Sequence, residues 1–128
     1  MKHDISSYDY IAKLPDSYEK FIPIGNGRIG ASVWVTAENT TDIHLLLSAT
    51  DNFSELGRIL KTCKSCISIS PNIFNSDSET HLDLKKAVLK IKSDKAEVKL
   101  YIDYNKDVLC FSINSEIPVN LKYTIDNY

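Results

Sequence analysis

From residue 28 onward, apolar side chains recur at every second position. Ile29, Ala31, Val33 and Val35 alternate with Arg28, Gly30, Ser32 and Trp34, and Ile43, Leu45 and Leu47 alternate with Asp42, His44 and Ser48. Side chains of an extended chain point to opposite faces in turn, so each run predicts a strand with one aliphatic face and one polar face. The alternation returns at Ile67 and Ile69, Leu82 and Leu84, Leu89 and Ile91, Val98 to Ile102, Leu109 to Ile113, and Leu121 to Ile125. About eight or nine short strands at this density predict an all-β sandwich or barrel.

The breaks between runs are short and polar: Glu38-Asn39-Thr40, Lys85-Lys86, Asp103-Tyr104-Asn105-Lys106 and Ser115-Glu116. None has room for the helical crossover that joins parallel strands, so the strands are expected to pair antiparallel. Helical spacing is confined to two stretches. Asp16 to Phe21 is short and polar; in Asp51 to Lys61 the residues Phe53, Leu56 and Leu60 approximate a helical face, which Gly57 weakens. Residues 1–19 read as a polar lead-in and residues 20–128 as the β-sandwich domain.

Composition narrows the class of partner. With 128 residues, 43% of them apolar, one domain can bury ~65–70% of the surface its unfolded chain exposes. The 15 basic and 17 acidic residues are intermixed and leave a net charge of −2, without the basic stripe that nucleic acid binding requires. No apolar run approaches the ~18 residues of a membrane-spanning helix, and Met1-Lys2-His3-Asp4-Ile5 lacks the apolar stretch of a signal peptide. The chain therefore reads as soluble and cytoplasmic, or as secreted or periplasmic if a leader was removed. Three cysteines, an odd number, give no disulfide framework and fit a reducing compartment.

Several motifs suggest chemistry and are weighed against plainer readings. Gly25-Asn26-Gly27-Arg28-Ile29-Gly30 satisfies the dinucleotide pattern G-x-G-x-x-G. That pattern requires a helix directly after it, with its N-terminus on the pyrophosphate, whereas the residues that follow alternate with period two. Asn26-Gly27 is read as a tight hairpin turn of type I′, in which both residues take positive φ, and no cofactor is expected. Cys63 and Cys66 form a C-x-x-C, but positions three apart on a strand face opposite ways, and no second pair exists. Adding Cys110, His44 and His81 gives no convergent set of four ligands, so no metal is expected. Asp51 and Glu55 are four apart in a stretch with helical spacing, and glycoside hydrolysis uses two acids across the scissile bond; the plainer reading makes Asp51 a helix N-cap or turn residue. His3 lies in the lead-in, His44 and His81 fall on the polar sides of their strands, and no serine occupies a nucleophile elbow.

Trp34 stands out for recognition. A lone tryptophan on the face opposite the aliphatic one is either covered by another domain or free to stack on a sugar ring, and Arg28 could add bidentate hydrogen bonds on the same face. Trp34, Arg28, Asn26 and Asp51 are the candidate substrate-binding residues; none is assigned a catalytic role.

The run Phe21-Ile22-Pro23-Ile24-Gly25-Asn26-Gly27-Arg28-Ile29-Gly30-Ala31-Ser32-Val33-Trp34 resembles the opening of the N-terminal β-sandwich in glycoside hydrolase family 95, the α-L-fucosidase type. The downstream pattern is closer to an uncharacterised N-terminal domain family of such hydrolase-like proteins: Thr50-Asp51-Asn52-Phe53 ahead of Leu56-Gly57-Arg58, then Ile67-Ser68-Ile69-Ser70-Pro71-Asn72, and later Leu82-Asp83-Leu84 and Val98 to Asn105. The resemblance implies a supersandwich of the galactose-mutarotase type, of which this chain would be part, placed ahead of an (α/α)6 catalytic barrel. Because the relatives' catalytic carboxylates belong to the barrel, no catalytic residue is carried over. The expected role is a non-catalytic scaffold forming one wall of a carbohydrate site. The alternatives are a stand-alone carbohydrate-binding module using Trp34 and Arg28, and a small glycosidase using Asp51 or Glu55.

Overall fold

The computed structural model describes residues 4–127; His3 and Tyr128 lie outside the described residues, as does the side chain of Leu60. Among the described residues the chain is all-β. Its strands are β1 (Tyr10–Lys13), β2 (Ile22–Gly25), β3 (Ile29–Ala37), β4 (Thr41–Phe53), β5 (Ile59–Ser70), β6 (Glu79–Asp83), β7 (Val88–Lys92), β8 (Ala96–Ile102), β9 (Leu109–Ser115) and β10 (Asn120–Asn127). They form two five-stranded antiparallel sheets, ordered β1-β6-β7-β8-β9 and β10-β5-β4-β3-β2, in a sandwich-like arrangement.

One apolar cluster joins the two sheets. Val33, Val35, Ile43, Leu45 and Ile69 from one sheet meet Leu89, Ile91, Val98 and Leu100 from the other, all without solvent exposure. These are the aliphatic positions of the period-two runs, and burying each contributes roughly 1.5–3 kcal/mol. Register follows from the same alternation, because a slip of one residue would turn every one of these side chains to solvent.

Two local expectations are corrected. The stretch from Asp51 to Lys61 is not helical: β4 continues through Phe53, the chain turns at Ser54–Arg58, and Phe53 pairs with Ile59 on β5. Phe53 and Leu56 are exposed, so no helical face is available to bury, and Asp51 is a strand residue and not an N-cap. The Asn26-Gly27 turn does reverse the chain, with Gly25 opposite Gly30, but it is not type I′. Only Gly27 has positive φ (+91°); Asn26 does not. At the polar N-terminal stretch, Tyr10–Lys13 pair with Glu79–Leu82, and Leu14 and Pro15 are buried as the chain passes from one sheet to the other. The second helical expectation, Asp16 to Phe21, contains one short 3-10 turn at Tyr18–Lys20.

Candidate functional site

The β2–β3 turn lies over the β8–β9 loop, and Asn26 fastens the two. Its Oδ1 accepts hydrogen bonds from the backbone N–H of Arg28 and of Ile29, both at 2.9 Å. Its Nδ2 donates to the carbonyl of Asp103 at 2.9 Å and to Oδ1 of Asp107 at 2.7 Å. The carboxamide thus closes its own turn with the acceptor end and reaches a second turn with the donor end, a division of labour that needs a group carrying both an acceptor and a two-proton donor. Asp107 sits in the left-handed region at φ 50°, a conformation that Asp tolerates better than most residues, and its carboxylate is held by Asn26 and Arg28.

Arg28 bridges two acids, with Nη1 3.0 Å from Asp107 Oδ2 and Nη2 3.3 Å from Asp51 Oδ2. Three of the four predicted site residues, Asn26, Arg28 and Asp51, therefore come together beside the β2–β3 turn. Geometry favours glycine at both ends of the turn's first half: a Cβ on Gly25 would lie a tight 3.0 Å from the carbonyl oxygen of Ile29, and Gly27 holds a φ that L side chains rarely adopt. Beside the turn lies an open depression of about 390 Å³ lined by Gly27, Arg28, Ile29, Ser48, Ala49 and Thr50.

Trp34, the fourth, is elsewhere. On the outer face of the β3–β4 ladder it stacks on His44, its cross-strand partner, with ring centroids 5.1 Å apart and planes 16° from parallel. Tyr18 meets it edge-on at 5.2 Å, and Phe21 stacks on Tyr18 at 5.7 Å. Trp34 is thus half-buried by its own chain. His44 is also hydrogen-bonded to Thr36 Oγ1 at 2.9 Å, and burial lowers its pKa, favouring the neutral ring. Sequence reading missed Tyr18 and Phe21 as members of this cluster, because they lie in the stretch before β2 where no periodicity marks them.

The remaining candidates stay apart. Cys63 and Cys66 are free thiols on β5, three residues apart on a regular part of the strand and so on opposite faces; burial raises the pKa of both, which keeps them protonated and weakly reactive. Among the described residues no group of three His, Cys, Asp or Glu side chains could hold a metal ion. Glu55 lies in the exposed β4–β5 turn. No helix among the described residues is long and apolar enough to cross a membrane.

Residues 15–128 match the family described as "Domain of unknown function (DUF5703)". The chain belongs to the DUF5703 family. No curated protein and no solved structure matches it. The span shared with other DUF5703 domains begins at Pro15, just past β1, and takes in both the Asn26 fastening and the Trp34 cluster.

Proposed function

We propose that this chain is a non-catalytic N-terminal β-domain of a glycoside hydrolase-like protein, a scaffold that forms one wall of a carbohydrate site completed by an (α/α)6 catalytic domain. The observation that carries the reading is the use to which the most site-like residues are put. Asn26 spends both ends of its carboxamide on tying the β2–β3 turn to the β8–β9 loop, and Arg28 spends its guanidinium on Asp51 and Asp107. Such a constellation shapes a rigid end of the domain and offers no pair of carboxylates flanking an enclosed cleft. The resemblance of the Phe21 to Trp34 run to glycoside hydrolase family 95 supplies the kinship, and two antiparallel five-stranded sheets around one core agree with a partial supersandwich of the galactose-mutarotase type.

Assayed alone against aryl glycosides, the chain is expected to release no aglycone; reproducible turnover that disappears with Asp51→Asn overturns the reading. One observation favours a stand-alone carbohydrate-binding module as the second reading: the stacked rings of Tyr18 and Phe21, 47% and 40% exposed, extend the Trp34 cluster to the surface. Because this is the one tryptophan in the sequence, its fluorescence separates the two. A saturable change with fucose, galactose or xylo-oligosaccharides favours the module, and a flat signal favours the scaffold.

A further inference from the structure

On the outer face of the β1-β6-β7-β8-β9 sheet, cross-strand pairing sorts the charged side chains into rows that run across the strands. One row alternates in sign: Lys13, Glu79, Lys92 and Glu97 lie opposite one another in turn. The neighbouring row, two residues along each strand, does not. There Lys90 lies directly opposite Lys99, with His81 on the other side of Lys90 and Ser112 beyond Lys99. Like charges directly across a ladder destabilise it, so the lysine pair works against the sheet that carries it.

The chain itself does little to relieve the pair. His81 is turned to Asp9, with Nε2 2.8 Å from Oδ2. Lys99 approaches Glu97 only to 3.5 Å and keeps 46% of its side chain exposed, and Lys90 makes no ion pair among the described residues. Two residues beyond Lys99, Tyr101 shares the same face and is 38% exposed. Paired strands lie ~4.8 Å apart and two residues advance the chain ~7 Å, so both ammonium groups and the aromatic ring are within the span of one sugar. All three residues stand on β7 and β8, each of which has a strand on either side.

We propose that Lys90, Lys99 and Tyr101 form a binding site for a uronic acid residue of an acidic polysaccharide. The Tyr101 ring takes the apolar face of the pyranose, and the lysine pair takes the carboxylate at its rim. Charge complementarity selects the anion: a carboxylate between two ammonium groups cancels their repulsion and accepts charge-assisted hydrogen bonds from both. The neighbouring row limits how densely the ligand can be charged. Glu79 and Glu97 border the pair, so a nucleic acid, with one charge per ~1.7 Å of duplex, meets acids as well as lysines, whereas a polyuronate brings one charge per sugar. That the carboxylate belongs to a sugar rests on the carbohydrate reading above; the anion site rests on the cross-strand pairing.

Titration of the full chain with polygalacturonate oligomers at low ionic strength, followed by amide chemical shifts, tests the proposal. Saturable shifts centred on β7 and β8 are expected, with a Kd on the order of 0.1–1 mM, while neutral galactan oligomers shift nothing there. Lys90→Gln, Lys99→Gln and Tyr101→Ala are each expected to weaken binding about fivefold or more. Lys92→Gln removes the same charge from the alternating row and is expected to change the Kd less than about twofold. Lys90→Glu separates binding from folding: it sets opposite charges across the ladder, should raise the thermal midpoint by about 1–3 °C, and should still abolish binding. Absence of shifts on β7 and β8 at about 10 mM oligomer, equal weakening by Lys92→Gln, or polyglutamate or dextran sulfate bound as tightly as polygalacturonate overturns the proposal. Turnover of aryl glycosides would refute the scaffold reading and leave these shifts in place, so the two failures are told apart.

Discussion

The short margins, β1 and β2, and the long margin at β10 are finished in opposite ways. The short margins are tied to the rest of the fold: the Asp9 side chain, just before β1, accepts hydrogen bonds from His81 Nε2 at 2.8 Å and from the backbone N–H of Leu84 at 2.9 Å, and the backbone carbonyl of Pro15, between β1 and β2, accepts one from the N–H of Val35 on β3. Pro23 removes a donor from the edge of β2. At β10 the apolar residues of the core-facing side remain half-exposed, although their alternation is as regular as that of β3 or β8. The difference teaches that alternation specifies which face a side chain takes, whereas burial depends on whether the opposite sheet extends far enough to cover it.

That comparison can be broken most sharply in the core. Leu100→Ala removes a side chain with no exposure, and urea denaturation is expected to report a loss of about 2–5 kcal/mol, while Ile125→Ala on β10 is expected to cost less than about 1 kcal/mol. Equal costs would mean that the core-facing side of β10 is covered in solution.

The fastening between the turns comes next. Asn26→Ala leaves Asp103, Asp107, Arg28 and Ile29 each without one hydrogen bond, and a loss of about 2 kcal/mol is expected, measured the same way. A change within experimental error would show that water replaces the carboxamide at no cost and that the two turns are not mechanically joined.

The smallest expected effect is at the β1 margin. The hydrogen bonds from Leu84 and His81 hold the Asp9 carboxyl below its ordinary value of about 3.9. A depressed carboxylate contributes stability that is complete above the unfolded value and is lost as pH falls through the folded one. The protection factors of those β1 amides that are hydrogen-bonded to β6 should therefore fall below about pH 4 in the wild-type chain, and Asp9→Asn should remove that acid-specific step. Protection of β1 that does not change with pH would exclude the carboxylate as its tether.

The strands from β3 to β10 were legible because each has a face turned toward one core, and alternation is the direct imprint of that arrangement. β1 was not: four residues, of which Tyr10 and Ile11 are both exposed, carry no period to read. The hairpin between β4 and β5 was misread as a helix because Phe53 and Leu56 are three apart, a spacing that has no meaning when neither is buried. The Asn26 turn was placed correctly and its mechanism was not. An Asn-Gly pair suggested two residues with positive φ, whereas the decisive property of Asn26 is a carboxamide long enough to reach a loop 77 residues away. Trp34 was located on the correct face, but its cover, Tyr18 and His44, depends on which strands lie side by side.

The Asn26 carboxamide has one more consequence, for the order in which the domain assembles. Its bond to Asp107 spans 81 positions, so it cannot form until Asp107 has left the ribosome. Contacts between such distant positions are slow to find, and a nascent chain halted before Asp107 would hold a β2–β3 ribbon whose tip has nothing to grip. The donor end of one amide is therefore satisfied only after both of the turns it joins have been synthesised.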